Sequence, residues 1–293
     1  MAKKSDWIIG GALGASILLL VFVAGIALIG SLMERDGEFS YAAGKRIALV
    51  EVTGVIRNAR SVVAQLARYR EDGSVPAIVV RIDSPGGEVA PTQEIFDEIR
   101  KTRKAGKKVV ASMGGVAASG GYYIACAADS IVANPGTLTG SIGVIFELPN
   151  VEGLFKKLGV DWEVVKSGKY KDIGSLAREL TDEERRLLQA VVDDVYVQFI
   201  DAIVQNRRLS RDQVMALADG RVFTGHQAKT LGLVDRTGTY EDAIALAARM
   251  VGMTGKPKTI RARGQNLLDV LFDNFETATR TTDSSLLLEY RLR

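Results

Sequence analysis

The chain has 293 residues and a net charge of +3 from 38 basic and 35 acidic side chains, with one histidine and one cysteine. That length allows one substantial core or two small ones. Nearly balanced charge gives no general affinity for nucleic acid, a lone cysteine excludes an internal disulfide, and one His with one Cys does not make a zinc site, so neither a metal nor another cofactor is expected.

Residues 7–33 carry no charge. As a helix rising about 1.5 Å per residue they would span roughly 40 Å, enough to cross a bilayer with tilt. Lys3 and Lys4 precede this run while Glu34, Arg35, Asp36 and Glu38 follow it. The excess of positive charge stays inside, so the N-terminus is expected in the cytoplasm and the rest of the chain outside it. The run also exceeds the apolar core of about 7–15 residues found in a cleaved signal peptide, which favours an uncleaved anchor. Gly10, Gly11 and Gly14 give it a small-residue face that would let helices pair. The chain divides into a cytoplasmic tip and anchor (1–33), a polar linker (34–45), a main domain (46–251) and a C-terminal tail (252–293).

Within the main domain, residues 46–53 (RIALVEVT) read as a buried strand and residues 60–69 as an amphipathic helix. Residues 77–82 (AIVVRI) form the next strand, ending in the turn Asp83-Ser84-Pro85-Gly86-Gly87, and a helix through Ile95 and Ile99 runs to about Lys104. A third strand covers residues 108–112, with a small-residue helix containing Ser119 directly after it. Short apolar runs alternating with helices predict an α/β domain with a largely parallel sheet, whose sites collect at the carboxyl ends of strands. Further on, Thr181 and Glu184 form a capping box for a long helix carrying Leu187, Leu188, Val191, Val195, Phe199 and Ile203 on its packing face. A short helix ending near Gly232 and a closing helix over residues 240–251 complete the domain. Leu267, Leu268, Val270, Leu271, Phe272 and Phe275 read as one more packing helix, and the leucine-rich end around Leu286 reads equally as packing, a membrane contact or a substrate-like segment.

Ser119 stands out chemically. Small residues and glycines flank it in Gly114-Gly115-Val116-Ala117-Ala118-Ser119-Gly120-Gly121, so a peptide backbone can approach it closely. Acyl transfer also needs a base and donors for the oxyanion. The amides of Gly87 and Gly120 are the expected donors, since no side chain shields them. His226 has no acidic partner motif and reads as a surface residue, which leaves lysine as the base in a Ser-Lys pair. Cys126 lies in an apolar helical run and reads as a buried, inert thiol. Asp83 and Asp172 sit in turns and read as acceptors of backbone N–H bonds rather than as catalytic carboxylates.

Five blocks occur in order: Asp83-Ser84-Pro85-Gly86-Gly87; residues 113–125 around Ser119; Gly136-Thr137-Leu138-Thr139-Gly140-Ser141-Ile142-Gly143-Val144; Lys166-Ser167-Gly168-Lys169-Tyr170-Lys171-Asp172; and Gly220-Arg221-Val222-Phe223-Thr224-Gly225 onward to Asp235. Over residues 46–251 the chain resembles the signal peptide peptidase A family, membrane-bound serine proteases of the S49 type. The resemblance implies a ClpP/crotonase-like fold, Ser119 as nucleophile, Lys171 as general base with Lys166 and Lys169 as its neighbours, and Ser141 orienting the lysine amine. It further implies signal peptides as substrates, a bacterial inner-membrane location, and a homo-oligomer in which the lysine crosses a subunit interface.

A lysine in water, with a pKa of about 10.4, is an ammonium at neutral pH and takes no proton from a serine; burial must depress it. Alone, the cluster of Lys166, Lys169 and Lys171 reads as a solvated basic loop, and covering by a second subunit reconciles the two readings. A groove lined by glycine and apolar residues near Gly87 and Val116 should admit small or aliphatic side chains. The rival readings are a crotonase-type acyl-CoA enzyme, which shares the fold and the paired amides, and an inactive membrane scaffold, which would not depend on Ser119.

Overall fold

The structure is a computed structural model that describes residues 44–262 and 288–291. The expected anchor, all of the linker but its last two residues and the packing helix expected near Leu271 lie outside the described residues; among those described, no helix is long and apolar enough to cross a membrane.

In chain order the elements are β1 (Ile47–Thr53), α1 (Arg60–Glu71), β2 (Ala77–Ser84), β3 (Gly86–Glu88), α2 (Val89–Lys104), β4 (Lys108–Ala118), α3 (Gly120–Cys126), β5 (Ser130–Ala133), β6 (Leu138–Gly140) and β7 (Ile145–Phe146). There follow α4 (Glu152–Leu158), α5 (Asp182–Asn206), α6 (Arg211–Met215), β8 (Val222–Thr224), α7 (Gly225–Thr230), β9 (Arg236–Thr237), α8 (Tyr240–Met250), β10 (Thr259–Arg261) and β11 (Leu288–Arg291).

The main sheet runs β10-β1-β2-β4-β5-β9, parallel throughout, with β6 added parallel to the far end of β4 and β8 antiparallel to β6. Both faces of its centre are covered, which is why β1, β2 and β4 read as continuous apolar runs rather than alternating ones. Ala48, Val50 and Val52 of β1 face the larger core, shared with α1, α2, α3 and α5. Ile47 and Leu49 face Ala243, Ile244 and Ala247 of α8.

Two expectations are corrected. The third strand does not stop at Ser112: β4 continues to Ala118, because Val116, Ala117 and Ala118 pair with Leu138, Thr139 and Gly140 of β6. The helix therefore begins after Ser119 rather than containing it. The long helix α5 does carry the expected capping box at Thr181 and Glu184, but of its apolar residues only the later ones, among them Val195, Phe199 and Ile203, are buried. Leu187 and Val191 are exposed, since the first turns of α5 run past the core.

Candidate active site

The site grows out of a defect in the pairing of β2 with β4. Ile82 pairs with Met113 but Ser84 pairs with Ala117, so β4 carries two extra residues across the same span. Asp83 fills the bulge: its Oδ1 accepts the Val116 N–H at 3.1 Å, and a Cβ on Gly114 would stand 2.6 Å from the Asp83 carboxyl carbon. Asp83 is thus a backbone acceptor, as its turn position implied.

Past the bulge the chain turns at Ser119, whose φ of 51° and ψ of −115° put a non-glycine residue in a strained region. Such a residue costs about 1–3 kcal/mol and persists only where its surroundings hold it. Here the Ser119 N–H donates to Gly140 O at 2.8 Å, and the Ser119 carbonyl accepts the Tyr123 N–H at 2.8 Å, fixing the residue between β6 and α3. The residue is 1% exposed and among the described residues its Oγ has no hydrogen-bond partner. A buried hydroxyl left unpaired costs roughly 1–3 kcal/mol, and such a group calls for an explanation. Ser141 follows Gly140 directly, is itself buried at a φ of 48°, and its N–H donates to Arg221 O at 2.8 Å.

The expected glycine turn is a strand end and a second short strand. Ser84 Oγ accepts the Gly86 N–H at 3.1 Å around Pro85, and β3 then lies beside Ile56, which donates its N–H to Gly86 O and accepts the Glu88 N–H. By alternation the Gly87 N–H points away from Ile56, toward Tyr290 of β11, its partner in register. Gly86, at a φ of 100°, has no room for a side chain: a Cβ would lie 1.9 Å from Tyr290 O and 2.7 Å from Gly120 N. A Cβ on Gly120 would lie 3.1 Å from the same oxygen. The Gly86 and Gly120 backbones therefore crowd the Tyr290 carbonyl, with Gly87 following Gly86 and Ser119 preceding Gly120 in the chain.

The lysine segment is built differently. Lys166 bonds Asp172, Lys169 and Tyr170 both bond Glu183, and Arg178 bridges Asp172 and Glu184. The Arg178 guanidinium, with Lys166, holds the Asp172 carboxyl well below the usual range; Arg178, with the Thr181 amide, pulls Glu184 down to about 2. Asp172 is structural as expected, but through ion pairs rather than backbone N–H bonds. Lys171 sits in an exposed turn, its N–H donating to Gly168 O, and among the described residues its ammonium has neither an ion pair nor a hydrogen bond to Ser119. In the segment that precedes it in the chain, several apolar side chains are open to solvent, with Trp162 63% and Val165 95% exposed.

His226 is exposed at the start of α7. Cys126 is fully buried, and burial pushes its thiol up to about 12. The reading of the sequence missed Gly86, Ile56 and the aromatic set Tyr123, Phe199 and Tyr290. For Gly86 the doubled glycine was a usable signal; for the others, whose roles come from distant partners, there was none.

Residues 101–254 match the family model Peptidase family S49, and residues 39–136 match the Clp protease model. This chain belongs to peptidase family S49. A candidate protease of Synechocystis sp. is 49% identical over 73% of this chain and 78% of its own length. A candidate signal peptide peptidase of Enterococcus faecium is 36% identical, covering 69% of this chain and 63% of its own, and Protease 4 of Salmonella typhi is 37% identical over 74% of this chain but 35% of its own. The S49 chain is a serine protease on a ClpP-like α/β scaffold with a mostly parallel sheet.

Proposed function

We propose that this S49 chain is a membrane-anchored endopeptidase with a Ser-Lys dyad that degrades signal peptide remnants at the inner membrane of a bacterial cell. Residues 7–33 would be its single span and the protease domain would lie outside the cytoplasm. The observation that carries the reading is Ser119: a buried hydroxyl without a hydrogen-bond partner among the described residues, on a strained corner directly before Gly120, whose backbone is crowded against Gly86.

In the reaction, the Ser119 Oγ bonds to the scissile carbonyl carbon as its proton passes to the neutral Lys171 amine. The oxygen that becomes negative takes hydrogen bonds from the Gly87 and Gly120 amides. The C–N bond then breaks, and the leaving amine takes the proton from Lys171. Water attacks the acyl-serine and gives a proton to Lys171, which passes it to Ser119 Oγ as the acyl C–O bond breaks; the product acid then ionises, and the neutral amine and the hydroxyl are restored. Ser141, next to the residue that holds Ser119, orients the amine.

Lys171 suits the base better than its neighbours do. Lys166 is paired with Asp172 and Lys169 with Glu183, whereas among the described residues Lys171 has no ion pair. Solvent exposure in one chain supports a homo-oligomer in which a neighbour supplies and buries this lysine, and the open apolar surface from Leu154 to Val165 is the kind of face a second subunit covers. Signal peptides as substrates draw support from the name of the Enterococcus relative.

The test mixes full-length Ser119→Ala with full-length Lys171→Ala and follows hydrolysis of a fluorogenic peptide. Activity in the mixture, with each variant dead alone, supports a pair shared between subunits. Full activity of Lys171→Ala alone removes it as the base.

A further inference from the structure

Lys171 stands on a segment whose ties to α5 are made by side chains. Among the described residues the main-chain bonds from Gly168 to Ser175 are local turns: Lys171 N–H to Gly168 O, Ile173 N–H to Tyr170 O and Ser175 N–H to Asp172 O. A loop bonded only to itself opens at little cost unless something else holds it in place.

Arg178 makes the most extensive of the ties. Its Nε and Nη2 donate to the two carboxylate oxygens of Asp172 at 2.9 and 3.0 Å, and its Nη1 and Nη2 donate to those of Glu184 at 2.8 and 2.5 Å. Nη1 also reaches Glu179 O at 3.0 Å and Nη2 reaches Asp172 O at 3.3 Å, so every nitrogen of the guanidinium is engaged. Single exposed ion pairs contribute little, but two-pronged pairs joined in a network hold a geometry. This network is sheltered, with the side chain of Asp172 11% exposed and that of Glu184 4%. Glu184 is fixed a second time, because its Oε2 accepts the Thr181 N–H at 2.9 Å in the capping box, and α5 runs from there into the core through Val195, Phe199 and Ile203. Asp172 directly follows Lys171, so the fork joins the residue beside the base to a helix seated in the core.

We propose that Arg178 is the positioning residue for Lys171: by clamping Asp172 to the first turn of α5 it fixes the backbone from which the amine reaches Ser119. The proposal rests on the reading of Lys171 as general base given above, and it applies whether the amine serves its own chain or a neighbour. Arg178 acts through Lys171 and not on the substrate, so its loss belongs in kcat rather than in KM. A catalytic group misplaced by about 1 Å can lose about 10²-fold in rate. Lysine is no substitute, since one ammonium cannot make the two-pronged pairs that the planar fork makes.

The experiment is a double-mutant cycle on the full chain, read as kcat and KM for a fluorogenic peptide, with circular dichroism to follow the fold. In the wild-type background Arg178→Ala should lower kcat about 10²-fold and leave KM within about twofold. In the Lys171→Ala background the same change should lower the residual kcat by less than about twofold, because the residue it positions is gone. Arg178→Lys should behave like Arg178→Ala, and full recovery by lysine overturns the clamp. Equal losses in the two backgrounds, or an unchanged kcat in the first, overturn the role of Arg178 while leaving Lys171 in place. Full activity of Lys171→Ala alone overturns the base and this proposal together. Should Arg178→Ala not fold, Asp172→Asn takes its place in the same cycle: it weakens the fork at the other end, keeps the pair with Glu184, and should show the same split with a loss on the order of tenfold.

Discussion

Ser119 sits in a corner fixed by three strands and a helix, with its hydroxyl buried and unpaired, whereas Lys171 sits on an exposed turn held by ion pairs between its neighbours. The first region is complete within one chain: the bulge filled by Asp83, the bond to Gly140 and the close approach of Gly86 to Gly120 leave it little freedom. In the second, Lys171 lies on an exposed turn and has no ion pair among the described residues. On the proposed pairing of Ser119 with Lys171, the contrast puts the control of activity in the lysine segment, which a second subunit would have to cover.

Ser119→Ala should remove the most activity, on the order of 10⁴-fold or more in kcat, with the fold unchanged by circular dichroism. Lys171→Ala should cost about 10²–10⁴-fold in kcat, the usual weight of a general base; a loss of twofold or less would mean that the two regions do not work together. Gly86→Ala forces a methyl against the carbonyl position and the Gly120 amide and should cost roughly 10²-fold or more in kcat, as loss of an oxyanion donor does. Lys166→Ala and Lys169→Ala remove exposed ion pairs and should each change kcat/KM less than about fivefold; a larger loss from either would move the base to that lysine.

Acid should separate the regions in the folded protein. Glu184 is lowered from 4.5 to about 2 and Asp172 is lowered in the same direction, so both stabilise the native segment above the unfolded value, and that contribution is lost as pH falls through the folded pKa. Hydrogen exchange should show the amides of residues 168–178 losing protection between pH 4.5 and about 2, while those of β2 and β4 keep theirs. Equal loss in both would erase the distinction.

Much of the first region was legible in the sequence. Strands buried on both faces leave runs such as Ile78, Val79 and Val80, and a serine between glycine pairs leaves a pattern of small residues. The true end of β4 was not legible, because Gly114 and Gly115 are poor strand formers and the strand holds there only through β6, some twenty residues on in sequence. Nor was β11: Leu288-Glu289-Tyr290-Arg291 has no strand signature of its own and becomes one by filling a gap between two others. Lysine spacing likewise gave no sign that Asp172 pairs with Arg178, since that contact depends on how the segment folds back on the start of α5.

The three-stranded sheet also bears on solubility. An open sheet edge is a template for any passing strand, and proteins normally blunt or cover such edges. In this fold the short strands β3 and β7 would each present such an edge, and β11, with one buried aromatic side chain between Glu289 and Arg291, pairs with both at once and so leaves neither of these facing edges to template a neighbouring protein's strand.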